Sequence, residues 1–84
     1  MIHKLTTMSF GEIVAKRRKQ LGMNQTEAST KAVISRQYLY RIEKRKAKEL
    51  NLSIAVLVRL AKALAVDPKT LFRIYLEDEE YENT

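Results

Sequence analysis

One stretch constrains this chain more than any other: N-Q-T-E-A-S-T-K-A-V-I-S-R-Q-Y-L-Y-R-I-E-K-R, from Asn24 to Arg45. Asn24 is a helix-capping residue, and Glu27, three positions on, completes a capping box. The helix it opens spans residues 25–32. Val33 and Ile34 make a tight joint, and Ser35 caps a second helix over 36–44. Leu39 and Ile42 point inward from that second helix at a spacing of three. Its other face carries Arg36, Gln37, Tyr38, Tyr40 and Arg41. Arginine and glutamine make paired hydrogen bonds to base edges, and tyrosine hydroxyls reach phosphate.

The runs R-K-Q-L-G-M-N-Q-T-E-A-S and I-S-R-Q-Y-L-Y-R-I-E resemble the helix-turn-helix domain of the Cro and lambda-repressor (XRE) family. The resemblance covers residues 10–72. It implies an all-α fold of five helices, lambda-repressor-like, with the helix-turn-helix inside it. It also implies roles for individual residues. Arg18 stands where the family has an arginine that pairs with the glutamate matched by Glu43. Gly22 matches the glycine ending helix 1, and Gln25 the phosphate-contacting glutamine opening helix 2. The small stand-alone proteins of this kind include phage repressors, antitoxins and restriction-modification controller proteins. The controller proteins share the Arg36-x-Tyr38 pattern and the N-L-S-I opening of helix 4, Asn51 to Ile54.

The chain departs from the family pattern in three places. Val33 stands where glycine is usual; a β-branched residue is strained at positive φ, so the expectation is a turn of another conformation. Ala28 and Ser29 replace Leu-Ala, which gives helix 2 a smaller inward face. The segment after Glu43 is about three residues longer than the usual pattern.

Charge supports the same reading. Residues 1–48 hold twelve Lys or Arg against three Glu, and residues 49–84 hold four against seven Asp or Glu. The overall +6 therefore conceals a basic half that contains the reading helix. That asymmetry is the footprint expected of a nucleic-acid binder. Lys16, Arg17, Lys44, Arg45, Lys46 and Lys48 are the candidates for phosphate contact. Asn24, Gln25, Ser35, Tyr38 and Tyr40 are candidates for backbone or groove contact, and Arg36, Gln37 and Arg41 for base reading. Tyr38 has an equal claim to be a packing residue.

The remaining elements follow from period and caps. Residues 1–8 read as a loose arm with the single histidine, His3, residues 9–76 as the domain, and residues 77–84 as an acidic tail. Ser9, with Glu12, caps helix 1 over 10–21, whose apolar side holds Phe10, Ile13, Val14 and Leu21. The segment K-R-K-A-K-E-L-N reads as a basic loop. Ser53 caps helix 4 over 54–64, with Leu57, Leu60, Ala61 and Leu64 inward, Ile54 beside them, and Val56 and Val58 widening the stripe. Asp67 and Pro68 open helix 5 over 68–76. Leu71, Phe72 and Tyr75 are expected to face the core. Ile74 and Leu76 are left over and, with Val58, mark the expected dimer surface.

Other function classes fit poorly. There is no Cys, a single His and only two Gly, so thiolate metal sites, a glycine-rich phosphate loop and a catalytic constellation have no residues to form them. No cofactor or metal is expected. Low aromatic content and the absence of a sheet pattern argue against single-strand stacking. No apolar run spans a bilayer, and the lack of Cys suits a reducing cytoplasm. The expected partners are double-stranded DNA and a second copy of the chain. The alternative is an antitoxin-type interaction module that binds a toxin and still binds DNA.

Overall fold

The computed structural model describes residues 8–83, with side chains through Asp78. The expected arm and His3 fall outside the described residues, apart from Met8, as do the side chains of the last part of the acidic tail. Five helices follow in order: α1 Phe10–Gln20, α2 Gln25–Ala32, α3 Arg36–Lys44, α4 Ile54–Ala63 and α5 Pro68–Asn83. Among the described residues there is no strand.

The helix starts are set locally. Ser9 with Glu12 and Asn24 with Glu27 form complete capping boxes. Ser35 accepts the Tyr38 amide and Ser53 the Val56 amide, so two more orphan helix donors are satisfied by hydroxyls.

Three helix ends share one device. Gly22, Val33 and Ala65 are all left-handed, with φ of 74°, 58° and 57°. Each is followed by an amide that reaches back five residues: Met23 to Arg18 O, Ile34 to Ser29 O, Val66 to Ala61 O. The following residue in each case, Met23, Ile34 or Val66, packs against the core. These are Schellman-type ends with their hydrophobic contact. Val33 is therefore a correction to the sequence reading: the turn keeps the glycine-like conformation despite its β-branch. Val33 is 70% exposed, so its side chain gains little from packing. The hydrogen bonds and the seating of Ile34 hold it there.

Arginines complete the same ends. Arg18 donates to Met23 O at 3.0 Å, Arg59 to Ala32 O at 3.0 Å and Arg17 to Leu64 O at 2.9 Å. At Ala32 and Leu64 the guanidinium satisfies a helix-end acceptor and opposes the negative end of the dipole, while Met23 O lies just past the end of α1.

The core is built from Phe10, Val14, Leu39, Ile42, Leu57, Leu60, Leu64, Leu71 and Tyr75, with Ala28, Ala32 and Ala61 where α2 meets α4. Phe10 and Tyr75 pack edge to face, ring centres 5.1 Å apart. Gly11 lies directly against α3. A Cβ there would stand 2.6 Å from Glu43 O and closer still to Ile42 O, so only glycine allows this approach.

The second half of the chain differs from expectation in four respects. Helix 5 continues through the acidic segment to Asn83 instead of ending at Leu76. Asp78 anchors the first part of this extension: the side chain is buried and accepts the Phe10 amide, in step with Leu71 and Tyr75 on the inner face. The basic loop contains a 3-10 turn, Ala47–Glu49, anchored by fully buried Ala47. Phe72 and Ile54, expected inside, are 38% and 68% exposed, whereas Ile74, expected to be left over, is half-buried against the core. Helical phase decides this: Leu71, Tyr75 and Asp78 set the inner face of α5, which rotates Phe72 and Leu76 outward.

Candidate nucleic-acid interface

Helix α3 is the element with the most polar exposed face. Leu39, Ile42 and Glu43 are buried, and Tyr38 is half-buried. Arg36, Gln37, Tyr40, Arg41, Lys44 and Arg45 are exposed. On a helix of 3.6 residues per turn, Gln37, Arg41 and Lys44 form the outermost stripe, with Arg36 and Tyr40 on the flank nearer Glu43.

The angle of this helix is fixed from below. Arg18 and Glu43 form a two-point ion pair, Nε to Oε2 at 2.7 Å and Nη2 to Oε1 at 3.0 Å. Their side chains are only 9% and 3% exposed. The hydrogen bond to Glu43, then its charge, hold the Arg18 pKa above the ordinary arginine range, against the opposing cost of burial. At neutral pH, far below the arginine range, that contribution is fully present, and it is lost as pH rises through the raised Arg18 value. Removing one partner of such a buried pair costs about 3–5 kcal/mol. Gln25 Nε2 adds a third donor to Glu43 Oε1 at 3.0 Å, so α1, α2 and α3 meet at one carboxylate.

The basic residues divide into two groups. Arg17, expected at phosphate, lies instead on the end of α4, with Nε on Leu64 O and Nη2 3.4 Å from Ala65 O. This is a correction: four consecutive cations wrap around a helix, and this one is half-buried with its Nε on a helix-end carbonyl. Lys16, Lys19 and Lys44 line an open groove between α1 and α3, with Gln25, Arg18 and Glu43 beneath. Arg45, Lys46 and Lys48 are exposed on the segment held by buried Ala47. The Lys46 amide is closed onto Glu49 at 3.3 Å. Asn24 and Ser35 use their side-chain oxygens as caps at the two helix starts that face this region.

Two aromatic rings on α3 carry cations. The Arg41 guanidinium carbon lies 5.6 Å from the Tyr38 ring centre, and Lys44 Nζ lies 5.8 Å from that of Tyr40. Both fall within cation–π range.

A family model described as helix-turn-helix matches residues 14–71, more than two-thirds of the chain. The chain belongs to this helix-turn-helix family, of the XRE type. Members are DNA-binding transcription regulators rather than enzymes, and the matched segment holds the whole of α2, α3 and α4. Comparison with curated proteins gives no match. No helix among the described residues is long and apolar enough to cross a membrane.

Within this helix-turn-helix protein, sequence reasoning missed three positioning residues. Arg59 fixes the joint between α2 and α3 through Ala32 O. Its signal was a cation set between Val58 and Leu60 in an apolar helix. Gly11 admits α3 against α1; a glycine early in a helix, where alanine is about 1 kcal/mol better, is the available hint. Asp78 was hidden in an acidic run.

Proposed function

We propose that the protein is a sequence-specific regulator that binds a palindromic operator as a homodimer, with α3 in the major groove. The observation that carries this reading is the face of α3. Arg36, Gln37, Arg41 and Lys44 project together from a helix whose buried side is tied to α1 and α2 through Glu43. Arginine bonds guanine and glutamine bonds adenine through two hydrogen bonds each. Ser35 starts the helix, so Arg36 and Gln37 occupy the first turn, the part that enters the groove in helix-turn-helix complexes. Gln25, Lys16, Lys19 and Lys44 flank it as phosphate contacts on one side, and Arg45, Lys46 and Lys48 on the other.

The dimer surface lies on the outer side of α5 and the start of α4. Phe72 and Leu76 are one turn apart and exposed, as is Ile54, with half-buried Val58 one turn further on. The Leu52 amide donates to the Tyr75 hydroxyl at 3.2 Å, which brings the α4 start beside the middle of α5. Phe72 stands here in place of Ile74, which was expected at this surface and is half-buried against the core. Two-fold pairing matches half-sites one helical turn, about 34 Å, apart. The antitoxin reading keeps the same DNA face and seats a toxin on the apolar one.

Salt titration on a palindromic duplex selected from a random pool tests the reading. Affinity falls with a log–log slope of about −0.9 per neutralised phosphate. A slope near zero contradicts the basic track, and a protein that sediments as a monomer while bound to that duplex contradicts the homodimer.

A further inference from the structure

We infer that Tyr38 is a specificity-determining positioning residue: its ring holds the Arg41 guanidinium in a fixed direction while leaving its donors free for a guanine. This rests on the reading that α3 enters the major groove.

The arginines of the chain differ in what holds them. Arg17, Arg18 and Arg59 have donors engaged on helix-end carbonyls or on Glu43. Arg36 is exposed and has no partner among the described residues. Arg41 is exposed but lies over Tyr38, 5.6 Å from guanidinium carbon to ring centre. A cation–π contact uses the charge of the guanidinium and none of its five N–H groups as a hydrogen-bond donor. Arg41 is thus held in direction with its hydrogen-bonding edge unused.

Tyr38 is suited to that task. It is half-buried and packs against the core, so its ring is fixed by its surroundings. It stands three residues before Arg41, on a neighbouring position of the same helix surface. Its amide is closed by Ser35 Oγ at 3.0 Å, which sets the first turn. A flexible arginine loses rotamer freedom when it meets a base, and one already oriented loses less. The gain goes to the base pair that offers two acceptors, N7 and O6 of guanine, and so appears as discrimination at one position per half-site.

The test uses the full chain and a duplex selected from a random pool, with every single-pair variant of that duplex, at fixed salt. The readout is the preference at each position, taken as a ratio of affinities. A fraction of unfolded protein weakens all sequences alike and cancels in that ratio. Arg41→Ala removes the guanine preference at one position in each half-site. Tyr38→Leu and Tyr38→Met, which keep apolar bulk without a ring, lower the preference at that same position by about two- to five-fold, the range of an exposed cation–π contact. Tyr38→Phe keeps that preference, whatever the hydroxyl adds to overall affinity. In the Arg41→Ala background, Tyr38→Leu makes no further change at that position. Preference erased by Arg41→Ala yet untouched by both ring-deleting variants overturns the inference. So does a loss in Tyr38→Phe equal to that in Tyr38→Leu. If Arg41→Ala itself leaves every preference intact, base reading by Arg41 fails, and the positioning role fails with it.

Discussion

Asp78 Oδ2 accepts the backbone amide of Phe10 at 2.9 Å, across 68 positions of sequence. The carboxylate sits at the start of α1, where free amides and the helix dipole favour negative charge. It joins the last helix to the first, beside the Phe10–Tyr75 ring contact. A hydrogen bond to a buried charged acceptor is worth about 1.5–3 kcal/mol. Asp78→Ala therefore lowers unfolding free energy by about that amount, and Asp78→Asn, which keeps an acceptor, by less. Urea unfolding followed by circular dichroism measures both; equal stability of Asp78→Ala and the parent contradicts the tie.

Gly11 is the second junction. In Gly11→Ala the new methyl meets the carbonyls of Ile42 and Glu43. Pushing α3 away costs about 1–3 kcal/mol, even though alanine is the better helix former by about 1 kcal/mol. Because Glu43 moves with α3, the variant also loses operator affinity beyond its loss of stability. A more stable Gly11→Ala protein would show that the close approach is absent.

Val33→Gly moves stability the other way. A left-handed conformation costs an ordinary residue about 1–2 kcal/mol, and a glycine adds unfolded-state entropy of about 0.5–1 kcal/mol. With little burial to lose, the net is a gain of up to about 1 kcal/mol, or a rise in Tm of about 4 °C or more for that full gain. A fall in Tm means that the Val33 side chain contributes packing that its exposure does not suggest.

The first four helices were legible because their starts are written in short-range chemistry: Ser9, Asn24, Ser35 and Ser53 each bond an amide three residues away. The Arg18–Glu43 partnership was legible only through family resemblance, since nothing local links positions 25 apart. The left-handed ends at Val33 and Ala65 were hidden because neither residue favours that conformation; the fold imposes it through Ile34 and Val66. Arg17 was expected at phosphate because a run of cations does not reveal which one reaches the end of a neighbouring helix. Asp78 was hidden because the neighbouring acids mask its place in the Leu71–Tyr75 period. The exposure of Arg36, Gln37, Tyr40 and Arg41 on α3 was legible in the sequence, whereas the half-burial of Tyr38 and the outward turn of Phe72 depended on how the helices pack.

The proposed recognition of an operator stands on α3 reading base sequence. Its most direct test is a competition titration of the selected duplex against random duplex at fixed salt, for the parent and for Arg36→Ala, Gln37→Ala and Arg41→Ala. Each substitution is expected to remove about 1–3 kcal/mol of discrimination, while non-specific binding changes much less. If all three leave the ratio of specific to non-specific affinity unchanged, α3 is not the reading helix.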